Sequence, residues 1–129
     1  MILDHNNKFI FIAIPKTAST TVHLAWGHSE HPPPPLYHMK LDECLEQNPQ
    51  SRDYFKFCFV RNPYERFIST WYNLIDPGAG HTWAADLLEY KTLENFCTNF
   101  VKSKWSKWIH FRPQIDYCTV NGENKMDYI

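Results

Sequence analysis

The chain has 129 residues, the size of one domain. Its 9 Phe, 5 Trp and 7 Tyr make up 16% of the residues, enough aromatic surface for a core, which excludes a mainly disordered chain. Thirteen basic against fourteen acidic residues leave a formal charge of −1, which argues against gripping nucleic acid through bulk positive charge. Any anion the chain binds must be met by a local constellation.

Phe9 to Ile14 is a continuous apolar run of β-branched and aromatic residues, which predicts a strand covered on both faces. Pro15-Lys-Thr-Ala-Ser-Thr-Thr21 is small and polar, and Val22 to Trp26 reads as a helix. His28 to Tyr37 is a loop in which Pro32 to Pro35 predicts polyproline II. Pro34-Pro-Leu-Tyr37 also fits a pattern read by WW-type domains, with a stiff connector as the plainer reading. Leu41 to Gln47 is a short helix with acid near its start, and Phe55 to Val60 a second strand. Asn62 suits an N-cap and Pro63 a first helical position. Tyr64, Phe67, Ile68, Trp71, Tyr72 and Ile75 then recur at helical spacing. Asp76 to Gly80 closes that helix. Ala84 to Tyr90 and Leu93 to Val101 are further helices. His110 to Gln114 is a loop, Ile115 to Val120 a strand, and Asn121-Gly122 a turn before Met126 to Ile129. The alternation predicts an α/β sheet domain.

Cys44, Cys58, Cys97 and Cys118 form no C-x-x-C pair and match no zinc module. Buried thiols and disulfides are the two readings, and the place of Cys58 within an apolar strand favours thiols. No apolar run approaches the roughly 20 residues that span a bilayer. The first residues lack a signal-peptide core with its cleavage site.

A strand that runs into a short polar turn and then a helix presents backbone N–H groups to an anion. Lys16 adds a full charge there, and Ser19, Thr20 and Thr21 add hydroxyls. The ATP-binding loop G-x-x-x-x-G-K-[ST] is absent. The plain alternative is a solvated helix start with a surface lysine. Arg61 repeats the arrangement after the second strand, where its guanidinium fork suits a phosphate. A capping or carboxylate-paired arginine is the alternative. Ser69 lies nearly two turns along that helix and reaches the same anion only if that anion runs alongside the helix. Arg66 reads by default as a salt-bridge residue. Two such corners imply a ligand with two separated phosphate groups. His28, His31 and His38 lack the spacing of a metal site. Trp105 and Trp108, interleaved with Lys102, Lys104 and Lys107, suit either a sugar or anionic acceptor or, more plainly, the core.

Ile14-Pro-Lys-Thr-Ala-Ser-Thr-Thr21 resembles the 5′-phosphosulfate loop of sulfotransferases that use 3′-phosphoadenosine 5′-phosphosulfate (PAPS). Val60-Arg-Asn-Pro-Tyr-Glu-Arg-Phe-Ile-Ser69 resembles the same family's 3′-phosphate motif, R-x-P-x-x-R-x-x-S. His110-Phe-Arg-Pro-Gln114 and Met126-Asp-Tyr-Ile129 are similar to later signposts of its carbohydrate and heparan-type branch. The resemblance runs from about Lys8 to Ile129. It implies an α/β, P-loop-like three-layer domain over residues 1–129, with a central, mostly parallel sheet flanked by helices. It implies that Lys16, Thr17, Ala18, Ser19, Thr20 and Thr21 hold the 5′-phosphosulfate, and that Arg61 and Ser69 hold the 3′-phosphate. Ala18 stands where many relatives have glycine, and relatives usually continue beyond Ile129.

The reaction so implied is sulfuryl transfer to an acceptor hydroxyl, on a carbohydrate by the same resemblance, with Lys16 as catalytic cation and no metal. A base is needed near the acceptor, and His38 is the expected one, since an unperturbed imidazole titrates near pH ~6.5. A loop or helix-capping role is the alternative for His38. Asp42 and Glu43 are lesser candidates, better suited to a first helical turn. His110 reads as structural, and His23 as packed or surface. A module that binds 3′-phosphoadenosine 5′-phosphate without turnover is the competing function, and a nucleotide kinase a third. A cytoplasmic location is expected for the chain as it stands, and the Golgi lumen if it is a piece of a membrane-anchored relative. No nucleic-acid partner and no membrane span are expected.

Overall fold

The computed structural model describes residues 1–27, 36–76 and 84–129. The expected polyproline run at Pro32 to Pro35, the WW-type pattern starting at Pro34, His28, His31 and residues 77–80 of the glycine loop lie outside them. The fold is mixed α/β, and the chain divides into two compact units. Met1–Val60 with Pro113–Ile129 form the first, and Arg61–Arg112 the second.

The first unit is built on a three-stranded sheet in the order β1 (Ile2–Asp4), β2 (Phe9–Ile12), β3 (Phe55–Cys58). β2 sits in the middle, and Ile10 through Ile14 have no exposed surface, as its unbroken apolar run predicts. β3 runs parallel to β2, with Phe9 opposite Phe55 and Ile12 opposite Cys58. β1 was not expected, and it pairs with β2 antiparallel, so the sheet is mixed. The link from Asp4 to Phe9 is too short for a parallel crossover. The Asp4 carboxylate also ties the turn, accepting from the Asn7 backbone N–H at 2.8 Å and its side-chain amide at 2.9 Å. Beyond β3, Tyr128 adds a parallel bridge to Phe57. There the Lys56 carbonyl accepts from the Asp127 and Tyr128 N–H groups, and the Asp127 carboxylate accepts from Lys56 N–H at 2.7 Å.

One sheet face is an aromatic cluster of Phe9 and Phe11 with Ile2 and Ala13, against which Val22 and Phe57 pack. Helix α1 (Ser19–Ala25) also brings His23 onto Phe11, ring edge to ring face at 6.2 Å, so His23 is a packed residue. Helix α2 (Leu41–Gln47) buries Leu41, Cys44 and Leu45. The strand expected over Ile115 to Val120 is instead a 3-10 turn at Gln114–Tyr117 and a two-residue strand, β4 (Thr119–Val120). Tyr117 and Cys118 are buried side by side, so no inward–outward alternation exists, and the Cys118 N–H turns back to the Ile115 carbonyl at 2.9 Å. β4 pairs with β5 (Glu123–Asn124) through Asn121 and Gly122, both at positive φ, the pair such a hairpin turn requires.

The second unit is organised by α3 (Pro63–Ile75). Asn62 Oδ1 accepts from the N–H groups of Tyr64 at 3.0 Å and Glu65 at 3.3 Å, and Pro63 opens the helix, as expected. Its inner face meets α4 (Ala84–Leu88), α5 (Leu93–Asn99) and the 3-10 turns at Phe100–Lys102 and Lys104–Lys107. Phe96 is the hub, with ring centroids 4.7 Å from Trp71, 5.3 Å from Phe111 and 5.7 Å from Phe67. Trp105 is 4% exposed, and Trp108 packs against the same cluster and stacks on His110 at 4.4 Å. The two tryptophans therefore follow the core reading. Among the described residues, no helix is long and apolar enough to cross a membrane.

Candidate functional site

The turn after β2 is closed by its own side chains and bent by its backbone. The Thr17 hydroxyl donates to the Ile14 carbonyl at 3.0 Å, and Thr17 itself is buried. Lys16 and Ala18 both stand in the left-handed region, at φ 65° and 64°, although neither is glycine. Left-handed residues are one component of the backbone nests that turn successive N–H groups toward an anion. Ala18 is the N-cap of α1 and has no side-chain acceptor to offer, unlike the Ser, Thr, Asp or Asn usual there. The helix starts at Ser19, three residues before the apolar stretch that announced it.

Tyr37, which the sequence marked only as the end of a WW-type pattern and not as a site residue, reaches this turn. Its hydroxyl lies 3.2 Å from Ser19 Oγ and 3.3 Å from Thr20 Oγ1. Its position beside His38 was the hint that it lies near the turn. Leu36–His38 is a 3-10 turn, and it delivers His38 as well: Nδ1 lies 2.6 Å from the Ala13 carbonyl oxygen. A carbonyl only accepts, so Nδ1 carries the hydrogen. In the neutral ring Nε2 is then the proton-accepting nitrogen. Lys16, Thr17 to Thr21, Tyr37 and His38 thus gather around one strand end.

The lesser acid candidates are engaged at the start of α2. Lys40 Nζ contacts Asp42 and Glu43, each at 3.2 Å, and Glu43 Oε2 accepts from the Lys40 N–H at 3.1 Å. Burial works against the Lys40 charge, but the hydrogen bonds to Asp42 and Glu43 outweigh it and hold the ammonium above its ordinary value.

In the second unit, Arg61, Arg66 and Ser69 ride on or beside the first turns of α3. Arg61 is exposed, and its Nε donates to Glu65 Oε2 at 3.3 Å. Asn62 already takes two N–H groups of this helix end, so an anion at Arg61 would be met by the guanidinium rather than by those amides. Ser69 is half-buried. Arg66 departs from its expected salt bridge. It is buried, and it donates from Nη1 to the His110 carbonyl at 2.9 Å and from Nη2 to the Arg112 carbonyl at 2.7 Å. Thr70 Oγ1 reaches the same His110 carbonyl at 3.4 Å. The R-x-P-x-x-R-x-x-S pattern therefore contains a structural arginine that latches the His110–Arg112 segment to α3.

The sulfotransferase family model matches residues 1–129, and the chain belongs to that family. No curated protein and no solved structure matches it. Family membership assigns a sulfotransferase role in general terms.

Proposed function

We propose that this protein moves a sulfuryl group from PAPS to an acceptor hydroxyl on a carbohydrate. In this reading Lys16 and the Thr17 to Thr21 loop bind the 5′-phosphosulfate, and Arg61 with Ser69 holds the 3′-phosphate. The acceptor oxygen attacks sulfur in line as the bond from sulfur to the leaving phosphate oxygen breaks. Charge grows on that phosphate, where Lys16 and the nest N–H groups stabilise it without a metal. The acceptor proton passes to Nε2 of His38. Residues 1–129 form a single P-loop-like, three-layer sulfotransferase domain. The order β2, α1 and β3, α3 on a parallel strand pair supports this.

The observation that carries the reading is the His38 bond to Ala13. It brings a proton-accepting imidazole to the strand end from which the Lys16 loop departs, and it sets the tautomer that base catalysis needs. The test is calorimetric titration of the full chain with 3′-phosphoadenosine 5′-phosphate, AMP and ATP without magnesium. The bisphosphate is expected to bind at least tenfold more tightly than either other nucleotide. Equal affinities would remove the donor assignment, and magnesium-dependent ATP turnover would replace it with a kinase. Tight bisphosphate binding without sulfation of any hydroxyl acceptor would mark a binding module.

A further inference from the structure

We propose that Cys58 and Cys118 form a disulfide cross-link site within the first unit. The two Sγ atoms lie 3.6 Å apart across 60 residues of sequence, and the residues are 0% and 1% exposed. A disulfide is about 2.05 Å long, so the sulfurs need to approach by about 1.5 Å, within the reach of side-chain rotation. Both backbones are already anchored. Cys58 ends β3 and its N–H bonds the Tyr128 carbonyl at 3.3 Å. The Cys118 N–H bonds Ile115, and its carbonyl accepts from Lys125 at 3.0 Å. The cross-link would tie the strand through which the chain leaves the first unit to the turn through which it returns, closing a loop that contains all of Arg61–Arg112.

The pair has an intrinsic polarity. The hydrogen bond between the two sulfurs holds the Cys118 thiol below its ordinary value, and the same contact with burial pushes Cys58 upward. Cys118 is therefore the first nucleophile. It sits between a single 3-10 turn and a two-residue strand, and the small disulfide reaches it when these short elements open. The oxidant is a low-molecular-weight disulfide such as oxidised glutathione. The Cys118 thiolate attacks one of its sulfurs, forming a mixed disulfide and releasing one glutathione. The Cys58 sulfur then displaces the second glutathione from Cys118 as its proton leaves. Two protein thiols lose two electrons, the small disulfide gains them, and the two protons end on the two glutathiones.

The full chain is incubated with oxidised glutathione, its remaining thiols are alkylated, and it is mapped by peptide mass spectrometry. The expected result is a linked Cys58–Cys118 peptide, with Cys97 alkylated. An upward shift of Tm by about 10 °C that dithiothreitol reverses is also expected. Cys97→Ser should keep both effects, and Cys118→Ser should lose both. Four alkylated cysteines after oxidation, or a cross-link at another pair in the unmutated chain, would overturn the proposal whether or not the Cys118 variant folds.

Discussion

His38 Nδ1 stands 2.6 Å from the carbonyl oxygen of Ala13, the residue on which β2 gives way to the Lys16 loop. In the proposed mechanism that contact separates two jobs of one ring, Nδ1 positioning it and Nε2 accepting the proton. Asn at position 38 places an amide N–H where Nδ1 was but has no counterpart of Nε2. Steady-state kinetics should show His38→Asn and His38→Ala losing turnover alike, by about 10²–10⁴-fold. Binding of 3′-phosphoadenosine 5′-phosphate should stay within twofold in the Asn variant. Turnover retained by His38→Asn would remove the imidazole as base.

The left-handed residues at Lys16 and Ala18 place strain where the donor is proposed to bind. A non-glycine residue there costs roughly 1 kcal/mol that glycine avoids, partly offset by the greater freedom of glycine in the unfolded chain. Ala18→Gly should therefore stabilise the protein by about 0.5 kcal/mol in urea unfolding. Lys16→Ala should abolish transfer and weaken PAPS binding without lowering the unfolding midpoint. A large fall in that midpoint would make Lys16 structural.

Arg61 makes an exposed pair with Glu65, and such pairs contribute less than about 1 kcal/mol. Arg61→Ala in the unliganded protein is therefore compared by urea unfolding first, and ligand contact is read from the binding difference. Arg61→Ala should weaken the 3′,5′-bisphosphate by about 10–100-fold, the range of hydrogen bonds to charged groups, and leave a 5′-monophosphate unaffected. Equal weakening of both ligands in calorimetry would take the 3′-phosphate away from Arg61.

Arg66 has the opposite character. Removing its fork takes away a buried donor from the Arg112 carbonyl and another from the His110 carbonyl, which Thr70 meets at a longer distance. Arg66→Ala should cost about 2–4 kcal/mol in urea unfolding, and Arg66→Lys should recover only part, because one ammonium cannot reproduce the planar fork. Full recovery by Lys would mean that charge alone matters.

Cys44 gives a pH dependence. Burial pushes its thiol up to about 11 from an ordinary 9.0. The neutral thiol is the form the folded core accepts, so its contribution is complete below about pH 9. It is lost as pH rises through about 11, because the unfolded chain ionises first. Unfolding at pH 8, 9.5 and 10.5 should show this alkaline loss, and Cys44→Ala should lack that component.

Local chemistry decided much of this protein from the sequence alone. The run from Phe9 to Ile14 marked a strand covered on both faces, which forms over Phe9–Ile12, and Asn62-Pro63 marked a helix start, because side-chain volume, branching and capping act within a few residues. The same locality made the Lys16 loop and the Arg61 helix legible as motifs, and through them the family.

What depended on distant partners was not written locally. β1 is three residues long and exists because β2 pairs with it. Ile115 to Val120 looked like a strand, but Tyr117 and Cys118 are both drawn inward, and backbone alternation gave way to burial. Arg66 looked like a surface ion-pair residue until two carbonyls 44 and 46 positions away gave it a buried seat. Tyr37 and His38 reach the loop only because a 3-10 turn returns the chain to β2, and Cys58 meets Cys118 across 60 residues. Contacts of that range form only when the gain from burial exceeds the entropy of closing the chain between them, a balance that belongs to the folded whole.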